Sequence, residues 1–147
     1  MNLKKFTLLA SCVSMSALAF NAQAQVSVEQ AWARATVAQQ KVTGAYLRVK
    51  SVREARLIEV RSSVAGTVQM HEMAMVGDVM KMRELDTVKL PAGQWVEFKP
   101  GGYHLMLMDL KKPIAAGDKI PLTLVVEGAD KKRQTVEVQA EARALGQ

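Results

Sequence analysis

Both histidines of this chain stand in runs of alternating methionines. His71 lies within Met70-His71-Glu72-Met73-Ala74-Met75, and His104 opens the run His104-Leu105-Met106-Leu107-Met108. A third cluster, Met80-Lys81-Met82, lies between them, so seven of the nine methionines fall between positions 70 and 108. Imidazole and thioether donors without a thiolate suit Cu(I), because soft sulfur ligands select it over Mg, Ca or Mn. The residue types therefore predict copper binding.

A β-hairpin is predicted around Gly77-Asp78, because glycine supplies the positive φ that a tight turn requires. The predicted cross-strand pairs are Val76 with Val79, Met75 with Met80, Ala74 with Lys81, Met73 with Met82, and His71 with Glu84. Side chains alternate between the faces of a strand, so five soft donors share one face. They are His71, Met73, Met75, Met80 and Met82. Met82 is then opposite Met73 and diagonal to His71, within reach of a long side chain.

The second histidine run follows the same alternation. His104, Met106 and Met108 share one face of their strand, while Leu105 and Leu107 point the other way into the core. If the two soft faces meet at one end of a barrel, two imidazoles and two thioethers close a metal site. We expect that site at an exposed end, with the metal-free ligands solvated.

The competing interpretation is that these methionines only fill a core. Methionine is a common gap-filler, and a single methionine-rich strand is more often packing than a site. Here both histidines fall in methionine alternations, and each such face lies opposite one that already supplies core residues. Met70 and Met108 are expected to pack or to support the ligands rather than to bind metal.

The N-terminal residues have the features of an export signal. Lys4 and Lys5 precede an uncharged apolar stretch, and Ala22-Gln23-Ala24 is a small-x-small cleavage site. Residues 1–24 are thus predicted to be a cleaved signal peptide, and residues 25–147 a single domain. Leu9-Ala10-Ser11-Cys12 also resembles a lipoprotein box, but apolar sequence continues past Cys12, which favours cleavage after Ala24. We expect a periplasmic protein without a stable membrane anchor.

Composition excludes several functions. Cys12 is the only cysteine, so the predicted mature chain has no thiol for a disulfide, a nucleophile or a blue-copper ligand. The formal net charge is +6, but the basic residues are scattered and form no stripe interleaved with aromatic side chains. Nucleic-acid binding is therefore not expected, and the chain is predicted to be a monomer.

Short runs of β-branched and apolar residues, separated by turn residues, predict an all-β antiparallel sandwich or barrel. The predicted strands are Val26–Ala33, Thr43–Val49, Leu57–Arg61, Val68–Met75, Val79–Leu85, Trp95–Lys99, His104–Leu110, Ile120–Val126 and Gln134–Val138. No helical periodicity of useful length is present.

The ligand spacing resembles that of a known family. His71, ten residues, Met82, twenty-one residues, His104, one residue and Met106 match the His-x10-Met-x21-His-x-Met pattern of the periplasmic PCu(A)C copper chaperones. The resemblance extends over the predicted mature chain, including Ala31-Trp32-Ala33-Arg34-Ala35, Gly44-Ala45-Tyr46-Leu47 and Pro100-Gly101-Gly102-Tyr103.

This resemblance implies a cupredoxin-like Greek-key β-barrel in which His71, Met82, His104 and Met106 bind one Cu(I). It also implies delivery to a copper-accepting protein in cytochrome c oxidase assembly, either an oxidase subunit or a Sco-type thiol protein. Some members carry a methionine directly after the first histidine, where this chain has Glu72. Some carry a His- and Met-rich tail linked to Cu(II), which the last seven residues here do not have.

Two other function classes compete with a copper carrier. An enzyme is not expected, because Ser51 and Ser62-Ser63 are in no nucleophile-elbow context and a copper oxidase usually needs more imidazoles. A metal-free secreted β-sandwich used for interaction or assembly is the main alternative, and the Met–His clustering counts against it.

Met73, Met75 and Met80 remain as auxiliary copper ligands.

Overall fold

The computed structural model describes residues 25–146 and folds them into ten strands. The strands are β1 (Val26–Arg34), β2 (Thr43–Ser51), β3 (Ala55–Arg61), β4 (Thr67–Val76), β5 (Val79–Leu85), β6 (Val88–Leu90), β7 (Trp95–Phe98), β8 (Tyr103–Met108), β9 (Lys119–Gly128) and β10 (Arg133–Arg143). The all-β prediction is confirmed, and the described residues contain no helix long and apolar enough to cross a membrane. The predicted signal peptide, residues 1–24, lies outside the described residues.

The strands form one sheet in the order β5-β4-β8-β7-β2-β1-β10-β9-β3-β6, and β8 pairs additionally with β2. Contacts between β3 and β4 bring distant parts of the sheet together, so that it rolls around one core. Two pairings, β1 with β10 and β7 with β8, are parallel, whereas the sequence predicted antiparallel pairing. β1 and β10 are far apart in the chain, so the chain can return before they pair. β7 and β8 are joined by residues 99–102 alone, and their parallel pairing is limited to Phe98 with Tyr103.

The core lies on the inner face of the rolled sheet. Leu105 and Leu107 of β8 are fully buried there, as their alternation with the soft residues predicted. Met70 of β4 pairs with Leu105 and is also buried, so it is a core residue, in agreement with its predicted packing role. The inner face of β4 and β8 is thereby fixed, and their histidines are left on the outer face.

Most strand ends differ from the prediction by one or two residues, and two differences are larger. β6 was not predicted, because three residues are too few to show an alternation, although Val88 and Leu90 are buried against β3. β10 continues to Arg143, beyond the predicted end at Val138. Its last inward residues are Ala140 and Ala142, whose small side chains give only a weak strand signal.

The β4–β5 hairpin has the predicted register, with Met73 opposite Met82 and Met75 opposite Met80. Gly77 has φ 62°, and glycine at the first central position is the pattern of a type II′ hairpin turn. β4 pairs with β8 only from Thr67 to Glu72, so the outer part of the hairpin projects beyond β8. β5 is an edge strand whose neighbour is β4, so at the tip of the hairpin β4 and β5 pair only with each other.

Candidate metal centre

The order β5-β4-β8 brings the two soft faces together, which is the condition that the predicted site required. His71 on β4 is directly paired with His104 on β8. The two ring centroids are 5.4 Å apart and the rings are nearly perpendicular, at 84°. The two histidines therefore lie side by side on the outer face of the sheet.

His104 also contacts a thioether from β5, the strand that flanks β4 on the side away from β8. Its Nε2 lies 3.1 Å from Sδ of Met82 on β5. Its Nδ1 lies 3.1 Å from the carbonyl oxygen of Gly102. A carbonyl can only accept a hydrogen bond, so in the neutral ring the proton belongs on Nδ1. Nε2 then presents a lone pair to the sulfur, with no hydrogen atom between them.

His71 has a comparable arrangement with the two ring nitrogens exchanged. Nε2 donates to Oε1 of Gln69 at 3.0 Å, while Nδ1 is buried and has no hydrogen-bond partner in the protein. A buried polar atom without a partner is uncommon and calls for an explanation such as an ion. Hydrogen bonding of one imidazole nitrogen fixes the tautomer and frees the other as a metal ligand. Both histidines thus fit a metal-binding role.

A cavity of about 420 Å³ opens beside these residues. Its lining includes Met73, Met82, His104 and Met106, together with residues of β1, β2 and the loop before β8. Three of the four predicted ligands thus border the same space. His71, the fourth, reaches the group through its ring contact with His104.

Glycine at position 44 makes room for the aromatic wall of this cavity. Gly44 pairs with Met106, and a Cβ on Gly44 would lie only 2.8 Å from Oη of Tyr46. The Tyr46 ring stacks on Trp32 at a centroid distance of 4.5 Å, and the guanidinium of Arg34 lies over its ring. Tyr46, Arg34 and Met106 all line the cavity, so this stack forms part of its wall.

The prediction of solvated histidines is wrong. His71 and His104 are only 8% and 7% exposed. They lie on the outer face, but each ring packs against the other, and Met82 covers His104. Burial lowers the pKa of His71 below its ordinary value of 6.5; the charge of a protonated His104 adds to this decrease, and the Glu84 carboxylate opposes it. The site thereby favours the neutral imidazole that ligates metal.

The remaining methionines separate into clear groups. Met73 lines the cavity, whereas Met75 and Met80 form a pair nearer the hairpin turn, where they are 60% and 46% exposed. Met82 is 54% exposed even though it touches His104. Met108 is half-buried and pairs with Thr67, away from the histidines. On the hairpin, the Met73–Met82 pair is therefore nearer to the imidazoles, and the Met75–Met80 pair is farther from them.

The charged residues of the hairpin are divided between its faces. Glu84 pairs with His71 and shares its face, while the ion pair of Arg83 with Glu72 lies on the opposite face together with Lys81. Between residues 25 and 146, no three His, Cys, Asp or Glu side chains form a group that could hold a metal ion. A metal held at this place would therefore need thioether ligands in addition to the two imidazoles.

Three supporting residues were not identified from the sequence as part of the site. Gln69 is two positions before His71 on the same face, and the alternation could have found it. Tyr46 lies in a run that matched the family, but its position beside Met106 depends on the pairing of β2 with β8. Gly102 acts through its backbone carbonyl, which leaves no signal in residue type.

Comparison with known families gives one extended match. The family model described as "Putative lipoprotein LpqE-like" matches residues 26–140. A curated relative, "Putative lipoprotein Lxx21020" of Leifsonia xyli subsp. xyli (strain CTCB07), is 38% identical over 102 residues, which are 67% of this chain and 60% of that protein. The chain thus spans less than two thirds of the Leifsonia protein. "Uncharacterized protein RP573" of Rickettsia prowazekii (strain Madrid E) is 32% identical over 123 residues, covering 80% of this chain and 68% of that protein.

Solved structures share the fold. The copper-bound PCuAC domain from PmoF2 is 29% identical, with a TM-score of 0.65 over 81% of this chain and 92% of that one. The solution structure of Cu(I)-DR1885 from Deinococcus radiodurans is 28% identical, with a TM-score of 0.58 over 83% of this chain and 81% of that one. These matches confirm the predicted cupredoxin-like all-β class.

Proposed function

The chain belongs to the LpqE-like, or PCuAC, family, and from that membership we propose that it is a copper chaperone that binds one Cu(I) and releases it to an acceptor protein. His71, Met82, His104 and Met106 are the proposed ligands. Copper is cargo in this proposal, and no chemical turnover accompanies its binding. Two similar structures support this proposal: the PCuAC domain from PmoF2 is copper-bound, and DR1885 is in its Cu(I) form.

One observation supports the proposal most strongly: Nε2 of His104 and Sδ of Met82 are 3.1 Å apart. Because Gly102 fixes the proton of His104 on Nδ1, two lone pairs of soft or borderline donors face each other. This contact gains little from hydrogen bonding, but a shared cation would stabilise it. The unpartnered Nδ1 of His71 supplies a further donor on the residue that pairs with His104.

The donor set favours Cu(I) over other metals. Thioether sulfur is a soft ligand and is a poor ligand for Mg, Ca or Mn. Zinc sites usually combine thiolate, imidazole or carboxylate ligands, and the predicted mature chain has no cysteine. Met82 is half-exposed, so an acceptor can approach this ligand directly. Exchange of copper with an acceptor is easier when a ligand is accessible than when all are enclosed.

We further propose export to the periplasm, with cleavage after Ala24, and action as a monomer. The family description and the Leifsonia relative both carry the word lipoprotein. Lipidation of Cys12 is therefore the alternative to cleavage after Ala24. Intact-mass measurement of the protein purified from its native membrane and soluble fractions distinguishes the two: Gln25 as the first residue supports cleavage, and a diacylated Cys12 contradicts it.

The proposed destination is a copper centre of cytochrome c oxidase, reached directly or through a Sco-type thiol protein. This destination is supported by the ligand spacing, which resembles that of the periplasmic PCu(A)C copper chaperones. A deletion strain tests the destination. Loss of oxidase activity that added copper restores would support the proposal, whereas unchanged oxidase activity with increased copper sensitivity would point to copper tolerance instead.

Competition titration of the purified protein with a Cu(I)-specific chelator, under reducing conditions, tests the binding function. We expect one tightly bound Cu(I) per chain and much weaker Cu(II) binding, because two of the four donors are thioethers. Equal or tighter binding of Cu(II) by the same residues would overturn the ligand assignment. Absence of any copper binding would favour a metal-free interaction domain.

A further inference from the structure

The end of the β4–β5 hairpin exposes a pair of thioethers that the proposed centre does not use. Met75 and Met80 are directly paired across the hairpin and are 60% and 46% exposed. They lie beyond the part of β4 that pairs with β8, so the rest of the sheet does not cover them. Two large apolar side chains held side by side in solvent gain no stability from burial.

These two methionines continue the line of soft donors away from the histidines. The pairs along the hairpin face are Met75 with Met80, Met73 with Met82, and then His71, which pairs across the sheet with His104. Successive pairs are two residues apart along the strand, or about 7 Å. Flexible thioether side chains can span much of that distance. The donors thus form a continuous series from the turn to the imidazoles.

The charges that the hairpin itself contributes also suit a cation. Lys81 and the Arg83–Glu72 ion pair occupy the opposite face of the hairpin. On the soft face, the hairpin contributes one charged side chain, Glu84, and it is an anion beside His71. A monovalent cation moving along this face therefore meets sulfur, imidazole and carboxylate on the hairpin, and no ammonium or guanidinium group from it.

We propose that Met75 and Met80 form a second, weaker Cu(I) site at the tip of the hairpin, and that copper moves between this tip site and the inner centre through Met73 and Met82. The inference rests on the proposed copper-carrier function. Each transfer forms one Cu–S bond as another breaks, and copper stays monovalent, so no oxidant or reductant is required. Two thioethers provide fewer donors than the inner centre, which makes the tip a site of uptake and release rather than storage.

Methyl NMR of the protein labelled at the methionine εCH3 groups tests the tip site. Under anaerobic, reducing conditions, the first equivalent of Cu(I) should shift the methyl signals of Met82 and Met106. The second equivalent should shift those of Met75 and Met80. Failure of the first equivalent to move Met82 or Met106 would contradict the proposed function itself. A first-equivalent shift followed by no response of Met75 and Met80 would overturn the tip site alone.

The double variant Met75→Leu/Met80→Leu removes both sulfurs while keeping apolar bulk. It should lose the second-equivalent response and retain the first. Val76→Leu/Val79→Leu is the matched control, because these exposed valines form the neighbouring pair on the other face of the same hairpin. This control should keep both responses. Metal-independent, concentration-dependent shifts confined to the tip methyl groups would instead identify the tip as a contact between two copies, and would overturn the proposal.

Movement of copper is tested by self-exchange between copper-loaded unlabelled protein and metal-free labelled protein. We expect slower exchange for the Met75→Leu/Met80→Leu variant than for the Val76→Leu/Val79→Leu control, with the affinity of the inner centre unchanged in both. Equal exchange rates would show that copper reaches the centre without the tip, and would overturn this part of the proposal.

Discussion

Sδ of Met82 lies 3.1 Å from Nε2 of His104, although the two residues are 22 positions apart in the chain. They lie on β5 and β8, which do not pair with each other, and β4 separates them in the sheet. The contact passes across the outer face of β4 beside His71. A soft donor from the edge hairpin is thus held against an imidazole from the body of the sheet.

Loss of the Met82 sulfur should weaken Cu(I) binding more than loss of its cross-strand partner. We expect Met82→Leu and Met106→Leu each to weaken Cu(I) binding by more than about tenfold, since even supporting residues around a metal commonly contribute about 10–100-fold. Met73→Leu is the matched control, because Met73 lines the same cavity and is directly opposite Met82 in the hairpin. Chelator competition under reducing conditions measures all three affinities.

The fold should tolerate these substitutions. Leucine keeps most of the apolar volume, and such exchanges usually cost less than about 1.5 kcal/mol of stability. Urea unfolding of the metal-free variants checks this point. If Met73→Leu weakens Cu(I) binding more than Met82→Leu does, then the assignment of Met82 as the ligand is wrong.

The sequence predicted the hairpin and its register because two local features agree there. Gly77 specifies the turn and the alternation specifies the faces, and neither feature depends on distant contacts. The adjacency of β4 and β8 did not follow from these features. That adjacency depends on contacts between distant parts of the chain, and it pairs His71 directly with His104.

Burial of the histidines could not be predicted for the same reason. Alternation assigns a side chain to a face but does not say what covers that face. His71 is on the outer face and would be exposed on an isolated hairpin, but the ring of His104 packs against it. Gln69 and Gly102 act through hydrogen bonds whose partners depend on the folded chain. Residue spacing therefore identifies candidate ligands better than it identifies the residues that hydrogen-bond to those ligands.

Because both imidazoles are buried, their removal should affect the metal-free protein as well as copper binding. We expect His71→Ala and His104→Ala to abolish tight Cu(I) binding and to lower the free energy of unfolding by about 1–2 kcal/mol each, while the protein still folds. Denaturant unfolding without metal measures the stability change. Unchanged stability in both variants would show that the rings are solvated after all.

The lowered pKa of His71 makes the stability of the metal-free protein depend on pH. The unfolded chain protonates this ring near its ordinary pKa of 6.5, whereas the folded chain does so only at lower pH. Between these two pKa values the unfolded state binds more protons, so stability should fall as pH falls below about 6.5 and level off below the folded pKa. His71→Asn, which does not titrate there, should lose this component of the pH dependence.

Glu84 offers a test of the same pKa from the opposite direction. Its carboxylate faces His71 and raises the pKa of this ring, against the larger lowering by burial. Glu84→Gln should therefore lower the pKa of His71 further, as followed by NMR titration of the ring protons. Asp78→Asn, at the exposed turn of the same hairpin, is the control and should leave this pKa unchanged. An increase in the pKa of His71 on replacing Glu84 would contradict the arrangement described for this face.

Gln69 should influence copper binding without touching the metal. Its Oε1 accepts the Nε2 proton of His71, which leaves the buried Nδ1 as the free donor. Gln69→Leu removes this acceptor, so the neutral ring should populate both tautomers, and Cu(I) affinity should fall about 10–100-fold. Thr67→Val, on the same face of β4 but away from His71, should preserve the affinity. Nitrogen NMR of the ring distinguishes the tautomers, and a single Nε2-protonated form persisting in Gln69→Leu would exclude this positioning role even if the affinity fell.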